Sequence, residues 1–443
     1  MRRVLMVSPH FPPDTTAASH RVRLLAPHLP AFGWEPTVLA VDPRDYEGRL
    51  DPELAELVPE SLRVVRSRAW STRWTRKLKV GDLGLRAFTN LWRASRRLLR
   101  DEKFDAFYVT VFPMYPALLG PLVRRRFDVP FVLDYIDPWV GASGLTVGNG
   151  LGGSVDLKSR LSRRLGVTLE PIAIRAADAL TAVSAATYEQ ILDRNPKRRG
   201  VPCVEIPYGG EAADFDRLRN RPRSNPYFDP QDGLCHICYV GTLLPLGFET
   251  LRAVLKALRL LRDVRPAVYD KVRLHFFGTS NQTLGKTPLR VLPVAAEIGV
   301  ADRVTEIAPR IDYLDALTVQ TQATAILMMG SSERHYTASK LYPGLLSRRP
   351  LLAVYHEAST VVKYLRESTS PPTVRVIAYG DVQRAEDCVG EIAGHLGSLI
   401  ENPQYDASAV KLDRLEAFSA KSLAGRLAEC LDQAVKGSHA NGR

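Results

Sequence analysis

Short apolar segments that alternate with amphipathic helical segments constrain this fold more than any other feature of the sequence. Residues 3–8 form an apolar run typical of a strand, and the helical segment after it has Val22, Leu25 and Leu29 on one side. A second apolar run follows, and this order predicts parallel strands joined by a right-handed crossover. The pattern restarts at residues 235–240. The chain is therefore predicted to be an α/β protein with two doubly wound parallel sheets.

A polar, proline-bearing stretch at residues 219–231 separates the two series and is typical of a segment that joins domains. A length of 443 residues is long for one hydrophobic core and agrees with two. We predict an N-terminal domain over residues 1–218 and a C-terminal domain over 219–415. The last segment, 416–443, contains a helix with leucines at four-residue steps, which we expect to pack back near the N-terminal domain.

The charge of the chain favours a polyanionic partner. The formal net charge is +12, which suits a phosphorylated ligand, an anionic membrane face or nucleic acid. Residues 73–100 carry nine basic side chains against Asp82, with tryptophans between them. Such a segment suits an anionic membrane surface, and a solvated helical hairpin with a buried apolar stripe is the alternative. No nucleic-acid-binding motif accompanies the charge, so we expect no nucleic acid as a partner.

Cysteine usage and hydropathy predict a cytoplasmic protein, peripheral on the inner face of the membrane if the basic segment binds lipid. Five cysteines do not suggest a disulfide framework. Cys235 and Cys238 lie three apart on a predicted strand, so they face opposite sides and form no zinc site. No secretory signal is expected. The uncharged stretch 106–123 is cut by three prolines, and a strand, a turn and a short helix explain it better than a membrane span.

The stretch 333–354 has the properties of an anion site. It follows a short apolar run, Ala325–Met329, that is predicted to be a buried strand. Thr337 or Ser339 can cap a helix beginning near Lys340. A helix N-terminus with a lysine beside it attracts phosphate; the alternative is that Lys340 is a surface lysine on ordinary α/β scaffold.

Two further positions lie at predicted strand ends, where parallel sheets bind ligands. Arg21 follows the first loop, in which threonines and alanines occupy the place of a glycine-rich phosphate loop. It is either functional or a solvated helix residue. Asp137 follows a strand at 130–133 and is either a wall of a site or part of a turn before Pro138. The glycine-rich stretch 141–153 is predicted to be a loop that could cover a cleft.

These segments, in this order, resemble the family 4 glycosyltransferases with the GT-B architecture. The resemblance covers nearly the whole chain and rests on weak motifs taken together, among them DYIDPW, LTAVS, IPYGGEAADF, YVGTLLPLGFETL, HFFGTSNQ and HYTASKLYPGLLSRRPLLAVYHE. It implies two Rossmann-like doubly wound parallel-sheet domains that face a central cleft.

The resemblance also implies an activity and a set of site residues. A nucleotide-diphosphate sugar would be a co-substrate, with no other cofactor and no metal, and its sugar would pass with retained configuration to a glycan or lipid-linked acceptor in polysaccharide or glycolipid assembly. The C-terminal domain would hold the donor and the N-terminal domain the acceptor. Lys340, Arg21 and Asp137 are the predicted catalytic residues. The predicted donor-binding residues are Gly241, Thr242, Gly278, Thr279, His335, Tyr336, Ser339 and Leu341.

Departures from the family pattern leave other functions open. The family usually has cations at the positions of Thr242 and Leu246, and glutamates at those of His335 and Pro343. These losses keep two alternatives open: a catalytically weak GT-B scaffold or binding subunit, and a nucleotide-sugar epimerase.

Overall fold

The computed structural model describes residues 1–78, 80–140, 157–280, 287–331 and 340–441. The chain forms two compact units. Unit one comprises residues 1–208 and 420–443, and unit two comprises residues 209–419. Each unit is an α/β domain built on one parallel sheet, which confirms the predicted fold class.

Unit one contains a seven-stranded sheet in the order β3-β2-β1-β4-β5-β6-β7, with every pairing parallel. The strands are β1 (Arg2–Val7), β2 (Trp34–Val41), β3 (Arg63–Ser67), β4 (Ala106–Thr110), β5 (Phe131–Tyr135), β6 (Ala179–Ala182) and β7 (Cys203–Glu205). The direction of winding reverses between β1 and β4, and the loops that leave these two strands diverge there. The α-helices are Ala17–Leu25, Pro52–Glu56, Thr72–Thr75, Leu83–Asp101, Leu119–Phe127, Leu157–Ala176, Ala185–Arg194 and Ala420–Asn441.

Both faces of this sheet are buried because successive side chains of each strand point to opposite sides. On β1, Leu5 and Val7 join one core while Val4 and Met6 join the other. The second core includes Leu427 and other apolar side chains of the helix Ala420–Asn441. The last helix of the chain is therefore part of unit one.

Unit two contains a six-stranded parallel sheet in the order β10-β9-β8-β11-β12-β13. The strands are β8 (Cys235–Val240), β9 (Val272–Phe277), β10 (Val304–Ile307), β11 (Ala325–Met329), β12 (Leu351–His356) and β13 (Val374–Tyr379). The predicted strand Ala325–Met329 is confirmed, and the winding reverses between β8 and β11. The α-helices are Ala212–Asn220, Phe248–Val264, Pro266–Tyr269, Leu292–Ile298, Tyr313–Gln322, Leu341–Leu346, Thr360–Ser368, Val389–Glu401 and Leu412–Leu415.

The boundaries of the two units differ from the domain boundaries that the sequence predicted. The helix Ala212–Asn220 falls in unit two, although the predicted boundary follows residue 218. Its Phe215 is buried, and its Asp214 carboxylate accepts a 2.8 Å hydrogen bond from the Tyr313 hydroxyl of the same unit. Unit two ends at Ser419, four residues after the predicted end. The polar stretch 219–231 therefore lies inside unit two, and side-chain burial determines where the unit begins.

The basic stretch and the uncharged stretch that follows it are ordinary α/β elements. Asp82 caps the helix Leu83–Asp101, because its carboxylate accepts a hydrogen bond from the Leu85 N–H. The helix buries Leu91 and Leu98. Residues 106–123 form β4, a turn and the start of the helix Leu119–Phe127, as predicted. Within the described ranges, no helix has both the length and the apolar character that a bilayer crossing requires.

Candidate active site

The clearest candidate site of unit two lies where β8 and β11 end. β8 is followed by Gly241, whose N–H donates to the Phe277 carbonyl at 2.8 Å. β11 is followed by Gly330, whose N–H donates to the Val354 carbonyl at 2.8 Å. Gly278 follows β9 in the same way, and a Cβ atom at this position would point toward the Gly241 Cα. Three neighbouring strands are therefore each followed by a glycine at the edge where parallel sheets bind ligands. Side chains of Lys340 and Tyr355 occupy the space beside Gly241 and Gly330.

Lys340 lies directly over Gly241. Its Nζ donates a 2.8 Å hydrogen bond to the Tyr239 hydroxyl and lies 4.2 Å from the centre of that ring. A Cβ atom at position 241 would fall 2.1 Å from Lys340 Cε, and Gly241 also has φ +132°. Glycine is therefore required twice, for its backbone conformation and for the passage of the lysine.

A helix begins near Tyr239, the residue that holds this lysine; Tyr239 and Gly247 line the same small cavity. The 17-residue helix Phe248–Val264 has Gly247 as its N-cap and no capping side chain. Gly247 lies next to the Gly330 carbonyl, and both residues line a cavity of about 10 Å³, roughly the size of one water. Thr242 and Ser331 also line it. The preceding turn pairs the N–H groups of Gly247 and Phe248 with the carbonyls of Leu244 and Pro245. The positive end of the helix dipole, together with an ammonium group, still suits an anion.

Two predicted donor-binding side chains point into the protein. The Thr279 hydroxyl is fully buried and donates a 2.5 Å hydrogen bond to Glu306. The same carboxylate accepts from the backbone N–H groups of residues 290–292 and so caps the helix Leu292–Ile298. Leu341 is 4% exposed and packs in the core. The structure thus brings Gly241, Thr242, Gly278 and Lys340 to one sheet edge.

Some predictions lie outside the described residues. They concern His335, Tyr336 and Ser339, and also the glycine-rich stretch at 141–153. The helix after Lys340 extends over Leu341–Leu346 and is only six residues long.

Arg21 is neither a solvated helix residue nor a free cation, which corrects both interpretations of the sequence. Its guanidinium donates to both oxygens of Asp134, at 2.8 and 2.7 Å, and also to the Ile206 carbonyl. The side chains are 1% and 0% exposed. Burial alone would lower the pKa of Arg21, but the Asp134 carboxylate raises it. Arg21 therefore ties the first helix to β5 and β7 inside unit one and cannot reach a ligand.

Asp137 lies on the surface after β5. Its side chain is exposed, although crowding by surrounding protein raises the pKa of its carboxyl. Trp139 follows it and meets Tyr115 edge to face, with ring centres 6.0 Å apart. Both rings are half-buried. Asp137 and Trp139 thus stand at the carboxyl end of the sheet, where the sequence predicted a wall.

Sequence reasoning missed His10 and Asp14 in the loop after β1. His10 Nδ1 lies 2.9 Å from Asp14 Oδ2. The imidazole stacks on Tyr46 with an angle of 11° between the rings and touches Phe112, which follows β4. The signal in the sequence was a histidine and an aspartate four residues apart in a loop already predicted to lie at the ligand-binding edge.

In the part of the chain that the structure describes, no group of three or more His, Cys, Asp or Glu side chains could hold a metal ion. All five cysteines are free thiols. Burial raises the pKa of the Cys235 thiol to about 12. These cysteines are therefore core residues rather than ligands.

Comparison with known proteins agrees with this architecture. Residues 16–209 match the family described as glycosyl transferase 4-like domain. No curated protein matches the chain in sequence. Several solved structures share its fold at low sequence identity.

Three of these structures cover nearly the full length of both chains. HepE of Anabaena, solved in complex with UDP-glucose, has a TM-score of 0.58 at 12% identity, covering 98% of this chain and 100% of its own. The trehalose-phosphate synthase (UDP-forming) of Burkholderia xenovorans, solved with glucose-6-phosphate, has a TM-score of 0.59 at 10% identity, with the same coverage. A glycosyltransferase of Rickettsia africae has a TM-score of 0.56 at 13% identity, covering 98% and 99%. Residues 16–209 are thus similar to a glycosyl transferase 4-like domain, and the chain as a whole shares the fold of these solved structures.

Proposed function

We propose that this protein is a metal-independent, retaining glycosyltransferase that moves a hexose from a nucleotide-diphosphate donor to a glycan or lipid-linked acceptor. The observation that carries the proposal is Lys340, held over Gly241 at the end of β8 by its hydrogen bond to the Tyr239 hydroxyl. Negative charge develops on the leaving diphosphate in such a transfer. Donors that are already in position stabilise that charge most effectively because they need not reorganise.

A second cation supports this assignment. The Arg290 guanidinium donates a 2.6 Å hydrogen bond to the Leu243 carbonyl, in the loop that follows Gly241. The family's usual cations in this loop are replaced by Thr242 and Leu246, and Leu246 is 49% exposed. Arg290 and Lys340 thus bring positive charge to the loop from elsewhere in unit two. UDP is the first nucleotide to test, because HepE was solved with UDP-glucose.

Calorimetric titration with UDP tests the donor site. Loss of a charge-assisted hydrogen bond costs about 1.5–3 kcal/mol, so Lys340→Ala should weaken UDP binding about 10- to 150-fold. Lys271→Ala, an exposed lysine of the same unit, is the matched control and should bind as wild type does. Equal affinity in both variants would remove Lys340 from the site.

Turnover separates transfer from the two alternatives. The transferase should release UDP from UDP-glucose only when a sugar acceptor is present, in the presence of EDTA, and NMR of the product should show the anomeric configuration of the donor. An epimerase would change the donor with no acceptor. A scaffold would bind neither UDP, GDP nor ADP at micromolar affinity. Thr242, Leu246 and Pro343 stand where the family usually has charged residues, and this difference is the reason to test for an epimerase and a scaffold.

We also propose that unit one lies on an anionic membrane surface. Arg93, Arg96 and Arg126, with Arg97 and Arg100, line a groove of about 290 Å³ between two helices. Asp101 pairs with two of them, at 3.7 Å from Arg97 and 2.8 Å from Arg100. Trp74 on the same basic stretch is 69% exposed, and Trp70 just before it is 55% exposed. Arginine with exposed indole suits the boundary between lipid headgroups and acyl chains.

Vesicle co-sedimentation tests this surface. Binding to phosphatidylglycerol-containing vesicles should fall with added salt, and Ser substitution of Arg93, Arg96, Arg97 and Arg100 should weaken it strongly. The control replaces Arg252, Arg259, Arg262 and Arg265 of unit two with Ser, which changes the net charge equally. Equal loss in both variants would show a response to net charge rather than to this groove.

A further inference from the structure

His10 lies at the carboxyl edge of the sheet of unit one. It follows β1, and Phe112 follows β4, so the two residues flank the point where the strand order reverses. Ligands of open α/β sheets bind outside the carboxyl ends of the strands at this point. The two side chains are in contact there, with ring centres 5.6 Å apart.

Asp14 fixes the orientation of the imidazole. Its carboxylate is 2% exposed and accepts hydrogen bonds from the Thr16 hydroxyl at 2.5 Å and the Ser19 hydroxyl at 2.7 Å, besides its contact with His10 Nδ1. Burial alone would raise the pKa of the Asp14 carboxyl, but these hydrogen bonds hold it below its usual range. An ionised carboxylate can only accept, so the proton of neutral imidazole lies on Nδ1.

One nitrogen of the ring is left to interact with a ligand. Tyr46 stacks on the imidazole and Phe112 touches it, so the side chain is 15% exposed. Among the residues that the structure describes, none forms a hydrogen bond with Nε2. A neutral ring tied at Nδ1 presents the lone pair of Nε2, which is a hydrogen-bond and proton acceptor.

The charged and titratable groups around the ring come from several elements. Asp14 lies on the same loop, and Asp82, at the start of the helix Leu83–Asp101, lies within electrostatic range. The Tyr46 hydroxyl donates to the Pro9 carbonyl. Arg66 of β3 donates to the Pro12 carbonyl, and Tyr115 lies within electrostatic range of Asp82. Asp14 is thus the only one of these groups that pairs with the ring directly in the described structure.

We propose that His10 is a catalytic residue on the acceptor side, whose Nε2 binds a hydroxyl of a sugar acceptor and takes its proton. The proposal rests on the transferase function proposed above. The acceptor O–H bond breaks as its proton passes to Nε2, and the oxygen bonds to C1 of the donor sugar on the face that the diphosphate leaves, so the anomeric configuration is retained. The bond from C1 to the diphosphate breaks, and its electron pair leaves with the diphosphate. The imidazolium then returns its proton to solvent.

The half-buried rings at the same edge suit a sugar. Tyr115 follows β4 and Trp139 follows β5, and their edge-to-face contact holds both in place. Aromatic side chains offer an apolar face with a polar edge, which matches the C–H faces and hydroxyl rim of a pyranose. Asp14 acts through His10 and is therefore a positioning residue.

Steady-state kinetics with UDP-glucose and a panel of sugar acceptors test the proposal. A positioned base contributes about 100- to 10,000-fold, so His10→Gln should lower kcat/KM by that factor. UDP affinity should stay within about twofold of wild type, because the donor site lies in unit two. The rise of kcat/KM with pH that reports a base should disappear. His28→Gln, a second half-buried histidine of unit one, should leave both quantities unchanged.

A measurement without turnover keeps the test independent of the proposed function. In the full-length protein with ¹⁵N-labelled histidine, His10 should show protonated Nδ1 and bare Nε2, and Asp14→Asn should mix the two tautomers. Titration with glucose and other acceptor sugars should shift the Nε2 signal. A protonated Nε2 in the neutral ring, or an Nε2 signal that no sugar shifts, would overturn the proposal. Wild-type protein that binds no nucleotide would instead overturn the transferase function.

Discussion

At the scale of single residues, two predicted catalytic cations have opposite surroundings. Arg21 has 1% of its side chain exposed and is held by Asp134, 113 residues further along the chain. Lys340 is half-buried at a strand edge and lies over a glycine. A guanidinium that is buried in a core and paired there with a carboxylate is out of reach of a ligand. Of the two, Lys340 is the cation at the sheet edge where we propose that the diphosphate binds.

Substitution of Gly241 tests whether the lysine depends on it. Gly241→Ala forces a Cβ into the space of Lys340 and strains a residue with φ +132°. We expect UDP affinity to fall tenfold or more, with a stability loss of about 1–3 kcal/mol. Gly233→Ala has a φ of +81° but no atom within 4 Å of the new Cβ. This control should lose stability and keep UDP affinity; a similar affinity loss in both variants would contradict the prediction.

A buried histidine pair makes unit two sensitive to acid. His236 Nδ1 lies 2.8 Å from His275 Nε2, and His275 Nδ1 lies 2.7 Å from the Thr305 hydroxyl. Phe228 stacks on both rings. Burial, with repulsion from His236 and Arg273, lowers the pKa of His275 to about 4, while Asp232 opposes this shift.

The sign of the pH effect follows from this depressed pKa. An unfolded histidine titrates near pH 6.5, so below that pH the unfolded chain takes up a proton that folded His275 refuses. Stability should therefore fall as the pH drops from about 6.5 to 4, by roughly 3 kcal/mol from this residue. Thermal unfolding of wild type and His275→Gln at several pH values from about 7 to 4, which span that window, measures it. A wild-type loss no larger than that of the variant would contradict the assignment.

At the scale of elements, glycine allows a helix to lie flat on the sheet. The helix Leu119–Phe127 carries Gly120 over Phe131 of β5, and a Cβ at position 120 would lie 2.3 Å from that ring. Phe131 is fully buried and cannot move aside without disturbing the core. In the helix Ala420–Asn441, by contrast, a Cβ at Gly437 would meet no atom within 4 Å.

Alanine at these two positions should have opposite effects. Gly120→Ala overpacks the core and should destabilise unit one by about 1–3 kcal/mol or more. Gly437→Ala should be neutral or stabilise by up to about 1 kcal/mol, since alanine is the better helix former. All five tryptophans of the chain lie in unit one, so urea unfolding followed by tryptophan fluorescence reports both variants. A stable Gly120→Ala protein would show that the helix can shift.

At the scale of the whole molecule, unit one is built from both ends of the chain. The helix Ala420–Asn441 returns after all of unit two and buries leucines against Val4, Trp34 and Val38. The Trp34 Nε1 donates a 2.9 Å hydrogen bond to Asp432 of this helix. One face of the first sheet would be open without it, so the fold of unit one depends on residues more than two hundred positions away.

A single leucine tests this dependence. Leu427 is fully buried, and Leu427→Ala should destabilise unit one by about 2–5 kcal/mol. Lys436→Ala, an exposed position of the same helix, should change stability by less than about 0.5 kcal/mol. Tryptophan fluorescence during urea unfolding again isolates unit one. A small effect of Leu427→Ala would mean that the helix adds little to this core.

The sequence by itself determined the α/β class, the two successive series of strands and helices, and the position of strands such as Ala325–Met329. These follow from local periodicity, because apolar side chains must repeat at the period of the element that buries them. It also placed Gly241 and Gly278 after strand ends and Lys340 at the start of a helix. The residues that follow a strand are its neighbours in the sequence, so a glycine at a strand end can be recognised without the structure.

Only the tertiary structure decided which polar side chains face a ligand. In the folded chain Arg21 pairs with Asp134, the Thr279 hydroxyl donates to Glu306, and His10 packs against Tyr46 and Phe112. Each of these partners is distant in sequence, and burial and hydrogen bonding are set by neighbours in space. Local pattern therefore indicates where a polar residue sits on its element, whereas packing between elements determines whether its polar atoms are already satisfied or are left for chemistry.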